Sequence, residues 1–72
     1  MNKTKRKLLL AALDVRYIYS AIDADGWLCA YSEEPTIGTT VWAVYDFDSN
    51  LLYVNKGKEP KDWTKTRKRI KR

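Results

Sequence analysis

Histidine is absent from this chain, and cysteine occurs once, at Cys29. The first absence removes the commonest general base and metal ligand. The second excludes an intramolecular disulfide and suits a reducing compartment. Long apolar runs are also missing. The stretch LLLAAL at residues 8–13 ends at Asp14, far short of the roughly 18 residues of a membrane span. The bases ahead of it superficially match a secretory leader, but no small-residue cleavage site follows, so none is expected. A cytoplasmic protein is expected, with no membrane partner and no cofactor.

The last absence is positional. Residues 17–55 contain no Lys or Arg, and they carry Asp23, Asp25, Glu33, Glu34, Asp46 and Asp48. The bases gather at the two ends, so the formal charge of +5 averages an acidic body between basic termini. With 72 residues in all, one small domain is expected, near the size at which a single core barely suffices. Three Trp, five Tyr and one Phe offset that, because large rings bury much area per residue.

The centre of the chain is YIYSAIDADGWLCAY, residues 17–31. Asp23-Ala24-Asp25-Gly26 has the chemistry of a tight turn: Asp suits its first position, and Gly accepts the left-handed conformation that closes it. Opposed pairs then follow as Asp23/Trp27, Ile22/Leu28, Ala21/Cys29, Ser20/Ala30 and Tyr19/Tyr31. Alternation predicts one aliphatic face of Ile18, Ile22, Leu28 and Ala30. The opposite face would carry Tyr17, Tyr19, Trp27 and Tyr31.

Residues 4–15 predict a helix, with Thr4 as N-cap and a leucine stripe for the sheet. Its first turn is basic, which opposes the helix dipole and hints that these bases serve another purpose, solubility being a sufficient one. After a loop marked by Pro35 and Gly38, residues 41–47 (VWAVYDF) and 51–55 predict a third and fourth strand around a turn at Asp48-Ser49-Asn50. Pro60 with Asp62 marks a short helical start, and Trp63 is expected to anchor it. The predicted fold is α+β: an N-terminal helix packed on a four-stranded antiparallel β-meander, with a short helical or disordered basic segment at the end. Residues 1–63 would form the compact domain and 64–72 a basic tail.

A meander would gather Asp23, Asp25, Asp46 and Asp48 into one acidic rim, able to dock on a basic protein or simply solvated. As a calcium loop the turn fails, because Gly26 is fourth from Asp23 rather than sixth and Trp27 stands at a ligand position. Nor does so small a domain offer the pocket that would tune paired carboxylates for catalysis. Cys29 has no activating His and reads as a buried structural thiol. No metal site and no enzyme activity are expected. Lys61, Lys65, Arg67, Lys68, Arg69, Lys71 and Arg72 suit a phosphate backbone, a protein partner or simple solvation, and exposed sheet tyrosines would stack bases, although the acidic sheet would repel phosphate. An uncovered aromatic face would alternatively support a homodimer.

The order of these features resembles that of small accessory proteins of tailed phages. A tyrosine-led strand from Tyr17 ends in Asp23-x-Asp25-Gly26, and an aromatic strand closes at Tyr31. Pro35, Trp42 and Asp62-Trp63 complete the pattern. The match covers residues 17–63; where such proteins continue with a Ser-Leu-x-x-Arg-Pro ending, this chain has TKTRKR. Such proteins are of unknown function, and the resemblance implies a phage or prophage accessory protein that interferes with a host system. Together with the acidic rim and the lack of catalytic chemistry, it leads to the expectation of a non-enzymatic protein of the host cytoplasm that binds and modulates a host protein or complex, such as a defence or nucleic-acid-processing assembly. The alternative is a small nucleic-acid-binding module that uses the basic termini and sheet tyrosines.

Overall fold

A computed structural model of the chain describes residues 2–44 and 50–72. Helix α1 spans Lys3–Ala11, and Asn2 rather than Thr4 is its N-cap, its Oδ1 accepting from the Lys5 N–H at 2.8 Å. Asn is the better capping residue. The helix stops short of residue 15 because Asp14 bonds locally. Its Oδ1 accepts from the Arg16 N–H at 2.9 Å and its carbonyl from the Tyr17 N–H at 3.1 Å, a turn that competes with helix.

Strands β1 (Tyr19–Ile22) and β2 (Trp27–Tyr31) pair in the expected register, Tyr19 opposite Tyr31 through Ile22 opposite Leu28. Gly26 closes the turn with φ 95°, and a Cβ there would meet the Gly57 carbonyl oxygen at 2.3 Å. Only glycine fits both constraints.

Beyond the hairpin the predicted meander order is replaced. Strands β3 (Thr36–Ile37) and β4 (Trp42–Ala43) form their own two-stranded ladder. Strand β5 (Leu51–Lys56) takes the place beside β2, and β6 (Lys68–Arg69) pairs with β1, giving the order β5-β2-β1-β6. The main sheet is antiparallel and the α+β class holds. The expected third strand is outside this sheet because its Trp42 N–H donates to the Asp23 carboxylate at 2.9 Å rather than to a neighbouring strand. Its predicted residues 45–47, and most of the turn after them, lie outside the described residues.

The basic end is ordered by backbone chemistry, not by helical propensity. Asp62 caps a single 3-10 turn, Trp63–Lys65, so Pro60 does not begin it. The Thr66 hydroxyl accepts from the Ile22 N–H at 2.8 Å and so extends the β1–β6 ladder by a side-chain rung. Residues 66–70 are therefore part of the fold and not a free tail.

Both faces of the sheet are covered. On one, Leu28 and Ala30 pack with Leu10 of α1, flanked by Leu13, Tyr17, Ile22, Val54 and Ile70. On the other, Ala21, Cys29 and Tyr31 pack with Trp42, flanked by Tyr19, Trp27, Val44 and Trp63. Trp42 and Trp63 meet edge to face at 5.9 Å. The residue expected inside the sheet instead roofs it.

Candidate functional site

The predicted sites fare unequally. Asp23 is buried, its Oδ1 holding the Trp42 N–H and its Oδ2 lying 3.8 Å from the Cys29 thiol. Burial pushes its pKa up, partly offset by the Trp42 bond. It is an internal anchor, not part of an acidic rim. Asp25 is exposed and its Oδ1 accepts from the Trp27 N–H; Asp46 and Asp48 lie outside the described residues.

Nor do the four rings form one surface. Tyr31 is buried, and burial pushes its phenol up. Trp27 stacks on Tyr53 at 5.5 Å, and Tyr19 lies beneath the Arg69 guanidinium at 5.8 Å. Tyr17 sits on the opposite, leucine side, because it precedes β1 and strand alternation does not reach it. Cys29 is fully buried, its thiol pushed up to about 12 first by desolvation and then by the Asp23 charge. Such a thiol is a poor nucleophile.

The predicted bases divide. Arg67 is held over the Trp42 ring and donates to the Pro35 carbonyl at 3.2 Å. Arg72 donates to the carbonyls of Tyr17, Leu13 and Asp14, beyond the end of α1. Lys65 pairs with Asp62 at 3.9 Å, and Lys61 stands exposed in the linker between β5 and the 3-10 turn. Lys68, Arg69 and Lys71 line an open groove of about 510 Å³ between α1 and β6.

The opposite wall was missed as a site by sequence reasoning. It is Lys3, Arg6 and Lys7 of α1, one helical face at i, i+3 and i+4. The signal was the basic first turn: no acid stands there to complement the dipole. Leu10, Ile22 and Ile70 form the apolar floor, and no carboxylate lines the groove among the described residues.

Arg6 joins the two walls. Its guanidinium donates to the Ser20 Oγ at 2.9 Å and to the Thr66 carbonyl at 2.7 Å. Desolvation lowers its pKa, but a guanidinium starts so high that it stays charged. The ion pairs Arg16–Asp14, Lys65–Asp62 and Arg67–Glu34 all lie outside the groove. The basic segments at the two ends of the sequence thus share one concave surface of ligand size.

We find no matching family model, no matching curated protein and no matching solved structure.

Proposed function

We propose that this chain is a non-catalytic protein that binds nucleic acid by holding a phosphate backbone in the groove between α1 and β6. One observation carries the reading. Lys3, Arg6 and Lys7 from the start of the chain share a single groove with Lys68 and Lys71 from its end, and no carboxylate lines it among the described residues; the Arg69 guanidinium is turned away over Tyr19. Opposed cationic walls suit a polyanion, and neutralised phosphates release counterions. The two hydrogen bonds of Arg6 join α1 to the sheet before any ligand arrives, which lowers the ordering cost on binding. The lack of histidine and the unreactive Cys29 support a binding rather than a catalytic role.

Fluorescence anisotropy with labelled DNA at low salt tests this. Saturable binding that weakens steeply with salt, and that is lost in the double variant Lys7→Glu/Lys68→Glu, is the expected result. Absence of binding by the folded wild-type chain refutes the reading.

A second reading is favoured by a separate feature. Strand β5 is a sheet edge on which Leu51, Leu52 and Tyr53 are exposed. Open edges accept a further strand from a partner. Such a partner would fit a phage accessory protein that acts on a host protein, for instance by inhibiting a defence or nucleic-acid-processing complex. If so, Leu52→Lys abolishes co-purification of a stoichiometric host protein, while the groove variant does not.

A further inference from the structure

We infer that the groove takes the backbone of double-stranded nucleic acid and reads no base sequence. This rests on the nucleic-acid reading above and narrows it to one class of ligand.

Single-strand sites hold bases by stacking them on exposed rings, each stack worth about 1–3 kcal/mol. The groove has no such platform: none of its lining residues is aromatic. Elsewhere the described rings are mostly covered, and the exposed Tyr53 stands on β5, the sheet edge opposite the groove. Tyr31 and Trp42 are buried, Trp27 is stacked on Tyr53, Trp63 is set against Trp42, Tyr19 is covered by Arg69, and Tyr17 packs on the leucine side.

Groups that discriminate base edges are committed as well. Sequence is read chiefly by arginine on guanine and by Asn or Gln on adenine, each using two atoms at once. Arg6 is bound to Ser20 and Thr66, and Arg69 lies over Tyr19. The Asn2 carboxamide oxygen caps α1 by accepting from the Lys5 N–H. The Ser20 hydroxyl is taken by Arg6.

What remains for a ligand is four lysines, Lys3 and Lys7 on one wall and Lys68 and Lys71 on the other, above an apolar floor. Ammonium groups meet phosphates as point charges and carry no base information. A duplex offers a regular, dense row of phosphates without asking the protein to hold its bases. A single strand offers the same charge but needs stacking rings, which the groove lining lacks.

The test is anisotropy of the full chain with labelled duplexes of unrelated sequence, the corresponding single strands, and anionic phosphatidylglycerol vesicles as a separate arm. Duplexes should bind with equal affinity whatever their sequence, and several-fold tighter than the single strands. Log affinity should fall against log salt with a slope of about −3.6 for four phosphate contacts. Lys3→Glu and Lys71→Glu, at exposed positions, should each weaken duplex binding roughly tenfold, with circular dichroism unchanged. Tighter binding of single strands, or a strong preference among duplex sequences, overturns this inference and leaves phosphate binding standing. Binding to the vesicles with none to any nucleic acid overturns both.

Discussion

Arg6 and Thr66 are 60 residues apart in sequence, and the Arg6 guanidinium donates to the Thr66 carbonyl at 2.7 Å. The same guanidinium donates to Ser20 in β1, so one side chain ties α1, the sheet and the C-terminal strand together. A half-buried charged donor with two neutral acceptors contributes more than a surface ion pair.

Arg6→Ala is therefore expected to lower stability by about 1.5–3 kcal/mol. Hydrogen exchange should show the amide of Ile70, which donates to the Ile18 carbonyl at 2.8 Å, losing protection before the β1–β2 hairpin does. Arg6→Lys keeps the charge but loses the fork, and should recover only part of the loss. Both variants are read by urea unfolding, which separates stability from any change in binding.

Gly26→Ala tests the central turn. Its left-handed backbone alone costs a side chain about 1–3 kcal/mol, and the added Cβ would meet the Gly57 carbonyl oxygen at 2.3 Å. Loss should exceed that of Gly38→Ala, where no positive φ is involved although the Val41 carbonyl oxygen is close at 2.6 Å. Thermal melts of the two variants give the comparison.

Asp23 makes stability depend on pH in a definite direction. Burial raises its folded pKa, so the folded chain holds the proton more tightly than the unfolded one. That contribution is fully present below the unfolded carboxylate value of about 3.9 and is lost as pH rises through the folded value. Asp14 and Asp62 act in the opposite sense, lowered chiefly by hydrogen bonds from the Arg16 backbone and the Thr64 side chain respectively. The informative quantity is thus the difference between wild type and Asp23→Asn, which keeps an acceptor for Trp42. Across that pH window the variant should gain relative to wild type. Asp23→Ala strands the Trp42 N–H and should cost about 1–3 kcal/mol at any pH.

Cys29, fully buried with its thiol pushed up to about 12, should resist alkylation at neutral pH in the folded chain. Its reaction with iodoacetamide should follow global unfolding in urea. Fast labelling of the native protein contradicts the packing around Asp23.

The parts of this fold that were legible in the sequence are those fixed by local chemistry. Turn residues Asp23 and Gly26 set the hairpin, and alternation then set its register and its leucine-facing side. Sheet order was not legible, because it depends on one buried carboxylate taking the Trp42 amide out of the ladder. The order of the C-terminal segment is hidden for a related reason: Lys and Arg favour helix or disorder by composition, while Thr66 supplies a rung to β1. In the candidate site, Lys68, Arg69 and Lys71 stood out as bases. Their partnership with Lys3, Arg6 and Lys7 needed the tertiary pairing of β6 with β1, and only the unfavourable charge in the first turn of α1 hinted at it.

The central claim is that the two basic ends act as one site, so placement of charge should matter more than its amount. Duplex affinity of Lys3→Glu/Lys71→Glu, one lysine from each wall, should be compared with that of Lys58→Glu/Lys61→Glu, both exposed in the linker. The two pairs shift the net charge equally. The account predicts that the groove pair loses most duplex binding and flattens the salt dependence, while the linker pair stays near wild type. Equal losses in the two pairs would contradict it, because binding would then follow net charge and not the groove.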